Sequence, residues 1–245
     1  MRISALCALM GLTPAMAHME MVQPAPIKSK YNRFYGYYNV DYSYNAPLGQ
    51  FPCKGYHIGE PRQSVATYVV GVPYTLKLLG TATHFGGSCQ ISLSYNGGAN
   101  FTVIKSIIGG CPIDLEYTFV VPETAPTGQA LLSWSWISQV GNRDFYQNCA
   151  WVDIVNYNKG DSIEIQGPPM WVSQLEGMCK VPEGKDFVYP EPGDNVEYGG
   201  EPQLYTTICD FEHHEASLDY DVPFDNRKIE LLAMNTTEVM LISEC

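Results

Sequence analysis

Leu131-Leu132-Ser133-Trp134-Ser135-Trp136 puts Leu132, Trp134 and Trp136 on one side of an extended chain and the two serines on the other. That alternation predicts a half-buried strand. Outward from it, short apolar or alternating runs recur at 65–70, 74–79, 89–95, 102–107, 117–121, 129–137 and 151–157, separated by Gly, Pro and Asn. No helical period is found between them. The spacing predicts an all-β chain: an immunoglobulin-like (fibronectin-like) β-sandwich from residue 18 to about 157, with long loops and a C-terminal irregular extension.

The start of the chain reads as a signal peptide over residues 1–17. Arg2 is basic, the run from Ile3 to Leu12 is apolar, and Ala15-Met16-Ala17 supplies small residues around a cleavage point. The apolar run is too short to span a bilayer, and no later run is long enough. The expected mature protein is secreted, with His18 as its first residue.

Of eight cysteines, Cys7 leaves with the signal peptide. Cys53, Cys89, Cys111, Cys149, Cys179, Cys209 and Cys245 are widely spaced and lack CxxC pairs, so in an oxidising compartment they read as disulfides with one thiol left over. Charge is uneven. Residues 18–180 hold 11 acids and 10 bases, whereas residues 181–245 hold 15 acids and 3 bases. The acidic C-terminal part argues against binding nucleic acid or an anionic membrane and favours solubility. Residues 203–245 read as an acidic tail of uncertain order.

His18 carries the sharpest chemistry. The amine and the ring Nδ1 of an N-terminal histidine close one chelate ring on a metal, and a distant histidine supplies a third nitrogen. Nitrogen-rich planar coordination with open positions suits Cu(II). The segments His18-Met19-Glu20-Met21 with Gln23-Pro24, Asn45-Ala46-Pro47-Leu48 to Phe51-Pro52-Cys53-Lys54, and Ala82-Thr83-His84-Phe85-Gly86-Gly87-Ser88-Cys89-Gln90 then follow in order. After them come Val103-Ile104-Lys105-Ser106-Ile107-Ile108-Gly109-Gly110-Cys111-Pro112, Gly141-Asn142-Arg143-Asp144-Phe145-Tyr146-Gln147-Asn148-Cys149-Ala150, and Pro182-Glu183-Gly184 through Val196-Glu197-Tyr198. Together they resemble the fungal lytic polysaccharide monooxygenases of auxiliary-activity family eleven.

That resemblance implies a copper-binding domain over residues 18–180 and an extended family-like segment over 181–202. It implies one copper ion, cycling between Cu(II) and Cu(I), on His18 (amine and ring) and His84, with Tyr146 near the axial position and Ala82 shielding the opposite side. It also implies an external electron donor, an oxygen co-substrate and oxidative cleavage of a polysaccharide, with chitin as the substrate and the protein a monomer. Asp144 stands where the family usually has Glu. The residue is catalytic by resemblance, and its carboxylate is one methylene shorter. The matched motifs imply the pairs Cys89–Cys111 and Cys53–Cys149, with Cys179 joined to Cys209 or Cys245.

Other features have plainer readings. His57 reads as a surface histidine with no partner at metal spacing, and His213-His214 as solvated residues of the acidic tail. Tyr31, Tyr35, Tyr37, Tyr38, Tyr42 and Tyr44 crowd a long loop that packs aromatic rings over the sandwich or offers a stacking platform for sugar. Asn100-Phe101-Thr102 and Asn235-Thr236-Thr237 are glycosylation sequons. His-x-x-x-His is absent, which argues against a zinc hydrolase. Two alternatives stand beside the enzyme: a secreted copper-binding protein without monooxygenase activity, and a carbohydrate-binding module with a vestigial site.

Overall fold

The Leu-Ser-Trp stretch lies in β7 (Gly128–Ser138), which pairs with β8 (Phe145–Val155). These are the longest strands of the computed structural model, which describes residues 19–42, 50–141, 143–158 and 164–211. The other strands are β1 (Met19–Gln23), β2 (Ala66–Val69), β3 (Pro73–Gly80), β4 (Gly87–Ser94), β5 (Thr102–Ile108), β6 (Glu116–Val120), β9 (Asp186–Phe187), β10 (Val196–Tyr198) and β11 (Tyr205–Thr206). They form a six-stranded sheet in the order β10-β5-β4-β7-β8-β2, a three-stranded sheet β1-β3-β6, and the short pair β11-β9. Among the described residues there is no α-helix, only three short 3-10 turns. The chain is an immunoglobulin-like β-sandwich.

The core between the two larger sheets follows from strand register. Cys89, Ile91 and Leu93 of β4 lie opposite Trp136, Trp134 and Leu132 of β7, and Trp136 and Leu132 lie opposite Tyr146 and Ala150 of β8. Met21, Leu76, Leu78 and Phe119 close this layer from the smaller sheet. Trp134 and Trp136 stack at 6.0 Å, and both are buried. Large aromatic rings of this kind dominate core energetics.

The half-buried reading of β7 needs correction. Ser133 and Ser135 are as buried as the tryptophans, because a second apolar cluster covers the outer face. Phe101, Leu131, Phe145, Met170, Val181 and Phe187 belong to that cluster, so the segment after β8 runs back over the sheet as a third layer. The serine hydroxyls are buried at little cost because the sheet supplies partners: Gln147 Nε2 donates to Ser133 Oγ at 2.9 Å.

Among the described residues three disulfides join Cys53 to Cys149, Cys89 to Cys111 and Cys179 to Cys209. Cys245 lies outside the described residues. Part of the stretch assigned to the tail is paired: β11 runs parallel to β9, and Lys180 and Asp210 exchange backbone hydrogen bonds. The chain divides into two units, Met1–Glu212 and His213–Cys245, and residues 213–245 lie outside the described residues. Among the described residues no helix is long and apolar enough to cross a membrane.

Candidate metal centre

His84 sits in the connection between β3 and β4, where the backbone is left-handed at two successive non-glycine residues, His84 (φ 50°) and Phe85 (φ 61°). Such conformations cost on the order of 1–3 kcal/mol each and persist where the surroundings over-determine them. Here they are held from both sides. Gly86 N donates to Thr83 O at 2.9 Å, while Gly86 O accepts from Trp136 Nε1 and from Gln139 N, both at 3.1 Å. Gly87 has no room for a side chain, since a Cβ there would lie 2.1 Å from Ile137 O.

This turn aims the imidazole at β8. Tyr146 is opposite Trp136 in the β7–β8 register, with ring centroids 4.4 Å apart, and its hydroxyl lies 3.5 Å from His84 Nε2. The other ring nitrogen faces Gly141, where a Cβ would come within 2.6 Å of Nδ1. The His84 ring also packs 5.6 Å from the Trp136 ring. An imidazole nitrogen and a phenol oxygen that converge in this way are donors suited to a borderline metal such as copper, so the residues present fit the ion that the sequence implies.

Tyr146 is buried, and burial pushes its pKa up to about 12. The Asp144 carboxylate pushes in the same direction and Arg143 against it. The phenol therefore keeps its proton at neutral pH. Asp144 is exposed at the β7–β8 connection, two residues before Tyr146. Ala82 is half-buried in the His84 loop. His18 lies outside the described residues, but Met19 begins β1 and pairs with Gly80, four residues before His84. Among the described residues no three His, Cys, Asp or Glu side chains gather at metal spacing.

A set of supporting contacts escapes sequence reasoning. The segment after Val181 laces the β7–β8 connection: Arg143 Nη2 donates to Val181 O at 2.7 Å, Gly141 N to Glu183 Oε1 at 3.1 Å, and Gly184 N to Gln139 O at 2.8 Å. Gln139 Nε2 in turn donates to Asp186 Oδ1 at 3.1 Å, and burial raises the Asp186 pKa. These contacts join residues more than thirty positions apart, and no local pattern announces them. Exposed Phe85, beside His84, is a further surface aromatic that only the structure identifies.

The remaining candidates lie elsewhere. His57 is half-buried and packs against Gly98 in the β4–β5 connection, at the far end of β4 from His84. Burial first, then Arg62, lowers its pKa. His213, His214 and Tyr44 lie outside the described residues. Tyr37, Tyr38 and Tyr42 form an exposed cluster, with Tyr37 at 5.5 Å from Tyr38 and 5.6 Å from Tyr42.

No protein-family model matches the sequence. Curated relatives do. An "AA11 family lytic polysaccharide monooxygenase A" of Aspergillus fumigatus is 40% identical over 187 residues, covering 74% of this chain and 85% of the relative. An "AA11 family lytic polysaccharide monooxygenase" of Aspergillus oryzae is 32% identical over 230 residues, covering 79% of this chain. A third relative, form B of Aspergillus fumigatus, is 32% identical over 232 residues, covering 80% of this chain. The chain spans 51% and 52% of the lengths of these last two, about half of each. Among solved structures, a chitin-active lytic polysaccharide monooxygenase in its Cu(I) form aligns at TM-score 0.28 and 19% identity, covering 37% of this chain and 58% of that one. With 40% identity across most of a relative's length, and its motifs gathered around His84 and Tyr146, the chain belongs to the AA11 family of lytic polysaccharide monooxygenases, copper-dependent enzymes that cleave polysaccharides oxidatively.

Proposed function

We propose that the mature, secreted chain begins at His18 and cleaves chitin as a monomer, using copper that would be held by the His18 amine and ring and by His84 Nε2, with Tyr146 beside it. The observation that supports this is the approach of His84 Nε2 and Tyr146 Oη to 3.5 Å at the end of the sandwich where β1 starts. His18 is one residue before Met19, about 3.8 Å away in Cα spacing.

When bound, copper supplies one-electron chemistry with an external reductant and an oxygen co-substrate. The protein's own groups orient and shield. His84 offers Nε2 because Nδ1 is turned against Gly141. The buried Tyr146 ring walls off the inner side. Asp144, exposed two residues before Tyr146, is the carboxylate that would orient the oxygen co-substrate. Phe85 and the cluster of Tyr37, Tyr38 and Tyr42 present apolar rings to a sugar chain. The tyrosine loop is rooted near the site, since Ser29 Oγ donates to Glu20 Oε1, one residue from Met19.

The test is product analysis. Copper-loaded mature chain, given a reductant and oxygen or peroxide, is expected to release oxidised oligosaccharides from crystalline chitin. Tight binding of one copper without oxidised product from chitin, cellulose or other β-glucans would instead support a copper-binding protein without monooxygenase activity.

A further inference from the structure

The β4–β5 connection carries a feature the catalytic account does not use. We infer that Asn100 is an N-glycosylation site whose glycan stands at the pole of the sandwich opposite His84. This rests on the secretion reading above.

Three observations support it. Asn100-Phe101-Thr102 is an acceptor sequon. Asn100 is exposed, and its side-chain amide makes no hydrogen bond among the described residues; only its backbone N–H is engaged, donating to Asn96 Oδ1 at 2.9 Å. The two following residues are anchored, with Phe101 buried and its carbonyl accepting from Met170 N at 2.9 Å, and with Thr102 opening β5. A fixed backbone thus presents an uncommitted amide to solvent.

The surroundings leave room for sugar. Asn100 borders a groove of about 360 Å³ lined by Phe51, Phe101, Pro169, Met170 and Val172. An apolar sugar face suits such a lining. Placement follows from β4, whose eight residues run from Gly87, beside the His84 turn, to Ser94, beside this connection. At about 3.3 Å per residue the two ends are roughly 23 Å apart. A glycan at Asn100 leaves the metal face open.

The chemistry needs a lipid-linked oligosaccharyl diphosphate and the transferase of a secretory compartment. Asn100 Nδ2 attacks the anomeric carbon, forming the C–N bond as the C–O bond to diphosphate breaks. The amide gives up one proton, the lipid diphosphate leaves with the bonding pair, and nothing is oxidised or reduced.

The experiment is peptide mapping of the full chain secreted by a fungal host, treated with peptide N-glycosidase in heavy-oxygen water. Asn100 is expected to appear as heavy-labelled Asp. The label should vanish in Asn100→Gln and Thr102→Ala and persist in Thr102→Ser. Enzymatic removal of the glycan should leave copper affinity and chitin turnover unchanged. Unmodified Asn100 in a chain that starts at His18 would overturn this proposal alone. A chain retained in cells and still starting at Met1 would overturn the secretion reading, and the glycan with it. Loss of copper binding on deglycosylation would overturn the placement at the opposite pole.

Discussion

Gly141→Ala tests the geometry of the metal centre with a single methyl group. The added Cβ would lie 2.6 Å from His84 Nδ1 and 3.1 Å from Cε1, whereas ordinary contact begins near 3.4 Å. Ring or hairpin must therefore give by about 0.8 Å. The ring has little freedom, because Trp136 packs against it and the turn behind it is fixed by the two hydrogen bonds on Gly86 O. The hairpin is laced to Glu183 through Gly141 N. Alanine must also hold the left-handed conformation that Gly141 adopts at φ 80°, a cost of about 1–2 kcal/mol. A displacement on the order of 1 Å at a reacting centre costs about a hundredfold in rate. The expected result is weaker copper binding by calorimetry, an altered Cu(II) electron paramagnetic resonance spectrum, and chitin turnover reduced by about that factor. A Gly141→Ala protein with the wild-type spectrum and wild-type turnover would refute the packing argument.

Tyr117→Phe probes a buried hydroxyl that makes no well-formed hydrogen bond among the described residues, with only the Asp114 backbone N–H near it, so at neutral pH the variant should be within about 1 kcal/mol of wild type in denaturant titrations. Burial raises the Tyr117 pKa above its ordinary value of 10.0. The unfolded phenol therefore ionises first as pH rises above 10.0, so wild-type stability does not change through this group below pH 10.0 and falls above it, and the variant should lose stability less steeply in that range. Replacing Cys89 and Cys111 together by alanine should lower stability by roughly 3 kcal/mol in thermal melts, from the 22-residue separation they close. Tyr146→Phe should keep one copper bound, since both histidines remain, while the copper absorption spectrum shifts. An unchanged spectrum would place Tyr146 away from the metal.

Seven strands were legible because apolar alternation is local. β3 and β5 fall within a residue of their sequence-derived bounds. β8 was read six residues late for a physical reason: its first half carries Gln147 and Asn148, which look like loop residues. In the fold Gln147 is buried, donating to Ser133 Oγ and accepting from Cys53 N, so its polarity is consumed inside the sheet. β1, β9, β10 and β11 are too short for a period to show, and β10 and β11 pair in parallel with distant strands. The burial of both faces of β7 depends on a segment some forty residues downstream, which alternation within β7 cannot reveal. His84 and Tyr146, which the structure brings to 3.5 Å, lie in motifs matched through resemblance. The lacing through Gln139, Gly141, Arg143 and Glu183 was not legible, because it consists of contacts between the hairpin and a later irregular segment.

The central claim, that the metal site is built from the free N-terminus of His18 together with His84, is tested most directly by copper titration of three proteins: the chain beginning at His18, the same chain with one extra residue before it, and His84→Ala. An acylated amine loses its basicity, so the account predicts tight binding of one copper by the first protein and its loss in both others. Equal copper affinity in the extended chain would contradict the account.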